Sequence, residues 1–352
     1  LVVAAFAALL GVVVAVPLLQ RRGPATTTAP AASPFREITL AQLEKPTALG
    51  LSVSPAGGQA FMADGEGLAT LPTTPLREGS GRPSGLLSWA SLGIASPIAA
   101  RVSDDGQFVL VTGPGGDIVP ADIVDVTSRA VVAHVTSACR EIALSRDGRL
   151  AVTHDGWPAL TLRAWDLAAG TSREGPKVAT GSYDVSPPKV TLDVSSRAGV
   201  VLSCVFGTTS VWDLATGVTR TCPERLFFAR LVGDSGRVVG FPSGPGTGFE
   251  LMRVAEWDPA KGTVRVVWSG YERLDVQRAW VSPSGRLLVA NVGAGLMLWS
   301  LEKAGPPLSF EFPAPHLVII GDPVPALAFT PDERSLLVAL AEGRLLWLDL
   351  DR

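Results

Sequence analysis

"LSRDGRLAVTHDGWPALTLRAWDLAAG" occupies residues 144–170, and its internal order decides the fold. An apolar stretch meets a tight polar turn at Arg146-Asp147-Gly148, a second apolar stretch follows, and a third ends on Trp165-Asp166. The same order returns in "VSPSGRLLVANVGAGLMLWSL" (281–301), so it is a repeat. Apolar alternation on both sides of a turn of Gly, Asp, Ser or Pro is the pattern of a β-hairpin, because these residues accept the turn's special φ values or bond its amides.

Working outward, the hairpin appears seven times: "SVSPAGGQAFMA" (52–63), "RVSDDGQFVLVT" (101–112), "ALSRDGRLAVTH" (143–154), "DVSSRAGVVLSC" (193–204), "RLVGDSGRVVGF" (230–241), "WVSPSGRLLVAN" (280–291) and "AFTPDERSLLVA" (328–339). A third strand follows, closing on Trp165, Trp212, Trp257, Trp299 and Trp347 at successive gaps of 47, 45, 42 and 48 residues. The first two copies offer "GEGLATLP" and "DIVDVTSRA" and have no Trp there. A period of about 40 to 50 residues with several strands in each predicts an all-β, seven-bladed β-propeller over 35–352. Tryptophans at a fixed place in a repeat are expected to pack between blades. Asp166, Asp213 and Asp258, which follow three of them, are expected to accept bonds from turn amides. The last copy stops after its third strand, and "FREITLAQL" (35–43) has no hairpin of its own. Pairing the two would close the ring and leave no open edge.

In its "SRDGR" and "SPSGR" turns (145–149, 282–286) and its "WDLAAG" and "WDLATG" stretches (165–170, 212–217), the sequence resembles the WD-repeat propeller family. The resemblance covers roughly residues 36–352, and the reading that goes with it is a non-catalytic protein-interaction or sensing module. No copy carries the Gly-His dipeptide of a typical repeat, so that family's Asp-His-Ser-Trp network is not expected, and YVTN- and NHL-type propellers remain alternatives within the fold. In domain order the chain is similar to a region of planctomycete-type bacterial signalling proteins, where a membrane helix and Pro-rich tether lead from a serine/threonine kinase to a WD-like propeller. The 25 Arg against 5 Lys fit a bacterial, GC-rich coding bias.

Residues 1–20 carry no charge, and a helix of that length spans a bilayer core of about 30 Å. They are expected to form a single-pass transmembrane helix or signal anchor, stopped by Arg21 and Arg22, with a cleaved signal peptide as the rival reading. Residues 21–34, rich in Pro, Ala and Thr, make a tether without a core. The propeller is placed on the extracytoplasmic side.

With 47% hydrophobic and 18% charged residues, the remainder can bury a large core. A net charge of −3 without Lys/Arg clusters argues against nucleic acid. Cys139, Cys204 and Cys222 show no metal or redox spacing and read as buried small residues. "VGDSGR" (232–237) imitates a serine-protease motif, but Ser235 sits in a hairpin turn with no partner flank. His134, His154 and His316 lie in different copies, so no metal site and no cofactor are expected.

In an antiparallel blade the first hairpin turn and the third-to-fourth-strand turn share one end of the ring. The longer connections share the other. That loop-rich end is expected to take a protein partner or small ligand, with Trp157, Tyr183, Tyr271 and Arg273 as contacts because aromatic and Arg side chains dominate binding hot spots. His154 with Asp155 is the pair with the chemistry of a ligand or catalytic site. The alternative function, a propeller hydrolase or lactonase at the channel mouth, requires at least three of His154, Asp155, Asp184, Glu250 and Asp275 to converge.

Overall fold

The computed structural model describes residues 35–40, 49–81, 84–113, 119–137, 142–155, 160–178, 190–205, 207–242, 252–270, 276–292, 295–303, 305–312, 326–340 and 344–350. These form seven sheets, antiparallel but for one two-residue strand at the edge of the last, and each is the blade of a β-propeller. Residues 1–34 lie outside the described part. Among the described residues no helix is long and apolar enough to cross a membrane.

A blade is built as the repeat dictates. In blade 4, Val190–Ser195 pairs with Val200–Val205, which pairs with Thr208–Asp213, which pairs with Thr219–Thr221. The first strand of every blade stands innermost, around the axis. The turn aspartates bond their own turns: Asp166 accepts from Ala169 N, Asp213 from Ala215 N and Thr216 N, and Asp258 from Ala260 N and Lys261 N. Asp125, in a copy without Trp, does the same for Thr127 and Ser128.

The last blade is completed from the other end of the chain. Phe35–Leu40 runs antiparallel to Leu345–Asp349, with Phe35 opposite Leu348 and Ile38 opposite Leu345. Residues 41–43 of the expected strand lie outside the described part. A feature the repeat does not contain then covers this strand. After Pro72, blade 1 inserts a helical turn, Thr73–Arg77, and a two-residue strand, Ser80–Gly81, which runs parallel to Thr39–Leu40. Leu76 of that turn is fully buried in the core shared by blades 7 and 1.

The cores lie between blades. Trp212 packs with Val152, Leu160 and Leu162 of blade 3, Trp257 with Leu202 and Val211 of blade 4, and Trp299 with Val239, Phe241 and Val254 of blade 5. Each points back at the preceding blade. A ring of this kind removes about 150 to 250 Å² from water, roughly 4 to 6 kcal/mol before ordering costs. Room is made for it: a Cβ on Gly175 would lie 2.6 Å from the Trp212 ring. Trp165 is only half-buried, and its indole donates to Thr153 Oγ1 at 3.2 Å.

Trp347 departs from the repeat. Trp212 pairs with Val201 and Trp299 with Leu288, but the equivalent place in blade 7, opposite Leu336, is held by Leu348. Trp347 comes one residue early. Because side chains alternate along a strand, it faces blade 1, packed with Met62, Leu71 and Leu76, while Leu348 faces blade 6. The expectation of five equivalent tryptophans therefore fails at the fifth, for reasons of register.

Candidate functional site

The seven innermost strands enclose a channel, and its wall is the most chemically distinctive surface of the described molecule. A cavity of about 190 Å³ is lined by Gly50 and Leu51 of blade 1, Ala100 to Val102 of blade 2, Leu192 and Asp193 of blade 4, Arg230 and Leu231 of blade 5, and Arg278, Trp280 and Val281 of blade 6, with Arg146 from the blade 3 turn. Four arginines, Arg101, Arg146, Arg230 and Arg278, are thus among the residues lining this cavity, together with Asp193.

These charges are braced by backbone. Arg230 donates to Ala279 O at 2.9 Å and Leu192 O at 3.1 Å, joining blades 4, 5 and 6. Asp193 accepts from Val194 N and from Leu231 N of the next blade, each at 2.9 Å. Arg146 reaches across the ring from blade 3 to blade 6, donating to Val281 O and Ser282 O at 3.1 Å. It forms a bar between the channel and a second cavity of about 170 Å³ at the short-turn end, lined by Asp147, Ser195, Ser196, Arg197 and Asp234.

That end is cross-linked, and its charges are mixed: Arg197 stands 3.7 Å from Asp234. Ser196 donates to Asp147 of the neighbouring blade at 2.6 Å, Ser195 to Asp234 at 2.9 Å, and Asp104 N to Arg146 O at 2.7 Å. Burial pushes the Asp104 carboxyl up to about 6 against the pull of Arg146, with Asp105, Asp234 and Asp147 adding to the rise.

His154 and Asp155 are neighbours on the strand Leu150–Asp155, so they point to opposite faces of the blade. His154 is completely buried, with Nε2 3.1 Å from Ser203 Oγ of blade 4, and burial pulls its imidazole down to about 4. Asp155 is ion-paired with Arg163 on the other face and accepts from Thr153 Oγ1. The two do not form a shared site. Asp184, Glu250 and Asp275, the other residues of the hydrolase alternative, lie outside the described part, as do the expected contacts Trp157, Tyr183, Tyr271 and Arg273.

Ser235 donates its hydroxyl proton to Val232 O at 2.6 Å, within its own turn. Cys204 and Cys222 are buried free thiols, and Cys139 lies outside the described residues. Among the described residues no three His, Cys, Asp or Glu side chains gather as a metal would require. The arginines are what sequence reasoning missed. A signal existed: Arg101, Arg230 and Arg278 lie within a few residues before a hairpin turn, on strands that must line the axis.

No family model and no curated relative matches the chain. Solved structures do match. The chain is similar to the hydrazine synthase of Kuenenia stuttgartiensis, at 13% identity and a TM-score of 0.56, over 88% of this chain and 97% of that one. It is also similar to the WD40 repeats of RRP9, at 13% identity and a TM-score of 0.61, over 92% of this chain and 99% of that one. Both are likenesses of fold alone. One neighbour is named as an enzyme and the other as a set of repeats, so the ring does not choose between catalysis and binding.

Proposed function

We propose that this chain is a membrane-tethered, non-catalytic propeller that binds a protein partner through the end of the ring opposite the short turns. The carrying observation is the asymmetry of the two ends. The short-turn end is bonded to itself from blade to blade through Asp104, Asp147, Asp234 and their partners, and, apart from the blade 1 insertion at 73–83, strand direction sends the longer connections to the other end. The likeness to WD40 repeats is compatible with such a module. Trp157, Tyr183, Tyr271 and Arg273 supply the anchoring contacts in this reading. Residues 1–20 hold the propeller to the membrane on its extracytoplasmic side, downstream of a signalling domain.

The test uses the full chain, purified in detergent from cells that produce it, with its partner quantified by mass spectrometry. Replacing Trp157 and Tyr271 together by Ala should abolish co-purification, while Lys261→Ala on the short-turn end leaves it unchanged. Equal retention by both variants refutes the assignment of the face. Protease added to intact cells should cut the propeller; complete protection places it on the cytoplasmic side instead.

A further inference from the structure

We infer that the blade 1 insertion, Thr73–Arg77 with Ser80–Gly81, is a clasp that gates release of the closing strand, and that release opens the edge of Leu345–Asp349 to the same strand of a second copy.

Nothing in blade 1 itself requires the insertion. Gly67–Pro72 and Ser84–Ser88 pair directly with each other, as the third and fourth strands of blades 2 to 6 do. In blades 2 to 5 the connection between them is short: residues 126–129, 167–170, 214–218 and 259–262 in turn. Blade 1 uses residues 73–83 for it.

What the extra residues touch is the closing strand. The register of that strand against Leu345–Asp349 runs from Phe35 to Ile38, and the two residues past it, Thr39 and Leu40, pair instead with Ser80 and Gly81. The approach is close: a Cβ on Gly79, at φ 89°, would lie 3.3 Å from both Glu37 O and the Arg36 side chain. The clasp has its footing in blade 1, where Thr73 N donates to Gly58 O at 3.2 Å and Thr73 Oγ1 to Gly57 O. Its Leu76 side chain is fully buried in one core with Ile38 and Trp347. Two blades thus hold the strand: blade 7 by strand pairing and by the two bonds of Arg344 to Glu37, each 3.1 Å, and blade 1 by the clasp.

That division makes a gate. A closing strand held without covalent links is an identical element in every copy, and exchange of such an element is a low-cost route to an intertwined pair. The strand of a second copy would make the same bonds, those to the clasp included, so the clasp acts on the rate of exchange and not on its equilibrium. Both sets of contacts must break before the strand leaves. Because the strand follows Pro34 directly, a load on residues 1–34 acts on this lock.

The experiment follows deuterium exchange of the full chain in non-ionic detergent. In the native chain, fragments covering 35–40 and 73–81 should exchange together as one opening unit. Gly79→Val should speed exchange at 35–40 by at least about tenfold while blades 3 to 5 keep their protection. Gly262→Val is the matched control: it puts comparable backbone strain in the third-to-fourth-strand turn of blade 5, at φ 69° with nothing within 4 Å of the added Cβ, and should leave 35–40 unchanged. A fluorescent peptide with the sequence of residues 34–43 stands in for the second copy. At about 1 mM, comparable to the effective concentration of a tethered strand, it should enter the Gly79→Val chain at least about tenfold faster than the native chain or the control. Fast exchange at 73–81 of the native chain with 35–40 still protected would overturn the gate without any variant. So would equal exchange at 35–40, or equal peptide uptake, in the two glycine variants.

Discussion

The interface between blades 3 and 4 and the seam between blades 7 and 1 do the same work by different means. In the first, consecutive segments of chain meet, Trp212 reaches back into blade 3 over Gly175, and His154 bonds Ser203 within the core. At the seam, residues from the two ends of the fold meet, blade 1 offers Leu71 where later blades offer a tryptophan, and Trp347 fills the core from the opposite wall. The adjoining blade 7 turn is unusual too. Six hairpins put glycine at the left-handed position, whereas blade 7 places Glu333 there at φ 57°, its carboxylate accepting from Ser284 N at 2.6 Å and Oγ at 2.7 Å in blade 6. Covalent continuity positions an internal interface before it packs. A seam has only its side chains and its closing strand, and both are reinforced.

The largest expected effect follows from that difference. Deleting residues 35–43 removes the strand bonded to Leu345–Asp349 and bares Ile38's side of the seam core, so cooperative melting should vanish and the chain should aggregate. Deleting residues 1–30 should leave the melt unchanged. If differential scanning calorimetry finds the two deletions alike, closure by this strand is not what holds the ring.

Next in size is an exchange of register. Trp347→Leu combined with Leu348→Trp restores the tryptophan of the repeat, yet it should lower stability by about 3 to 5 kcal/mol in denaturant titration. It hollows the blade 1 side and forces an indole into a core already holding Phe35, Phe310, Phe312 and Phe329. A neutral or stabilising result would mean that the seam tolerates the ordinary arrangement.

Acid should act on the internal interface. Burial lowers the His154 pKa from an ordinary 6.5 to about 4, so between those values the unfolded chain binds a proton that the folded chain does not. The contribution is whole above pH 6.5 and is lost as pH falls toward 4, on the order of 3 kcal/mol. Asp104 runs the other way: its folded pKa of about 6 exceeds the ordinary 3.8, so its contribution is whole below 3.8 and lost as pH rises through 6. His154→Leu should flatten the acid loss seen in melts across this range. Asp104→Asn should deepen the loss by removing the opposing effect, and an unchanged profile in either variant would contradict its assignment.

The smallest effect belongs to Glu333→Gly. Relief of left-handed strain, about 1 kcal/mol, opposes the loss of two short bonds to Ser284, so a net destabilisation within about 1 kcal/mol is expected. A double-mutant cycle with Ser284→Ala should show coupling, and additivity would reduce Glu333 to an ordinary turn residue.

Much of the ring was legible because a repeat states its own geometry. Seven hairpins, turn aspartates such as Asp213 and the spare strand at 35–43 follow from alternation, turn chemistry and spacing, all local properties of the chain. Trp347 packs between blades as expected, but its spacing of 48 residues looks ordinary, and only strand pairing reveals a shift of one position that turns the side chain toward blade 1 instead of the preceding blade. His154 with Asp155 read as a pair with ligand or catalytic chemistry; the structure sends the two to opposite faces of one strand, and burial holds the imidazole's pKa down to about 4. The channel needed the tertiary structure most. Arg101, Arg230 and Arg278 stand far apart in sequence and in no motif, and what joins them is the closing of seven inner strands about one axis. Sequence determined the blade, because a blade is made of neighbours; the fold alone decided the seam and the channel, because those are made of residues that meet only when the ring shuts.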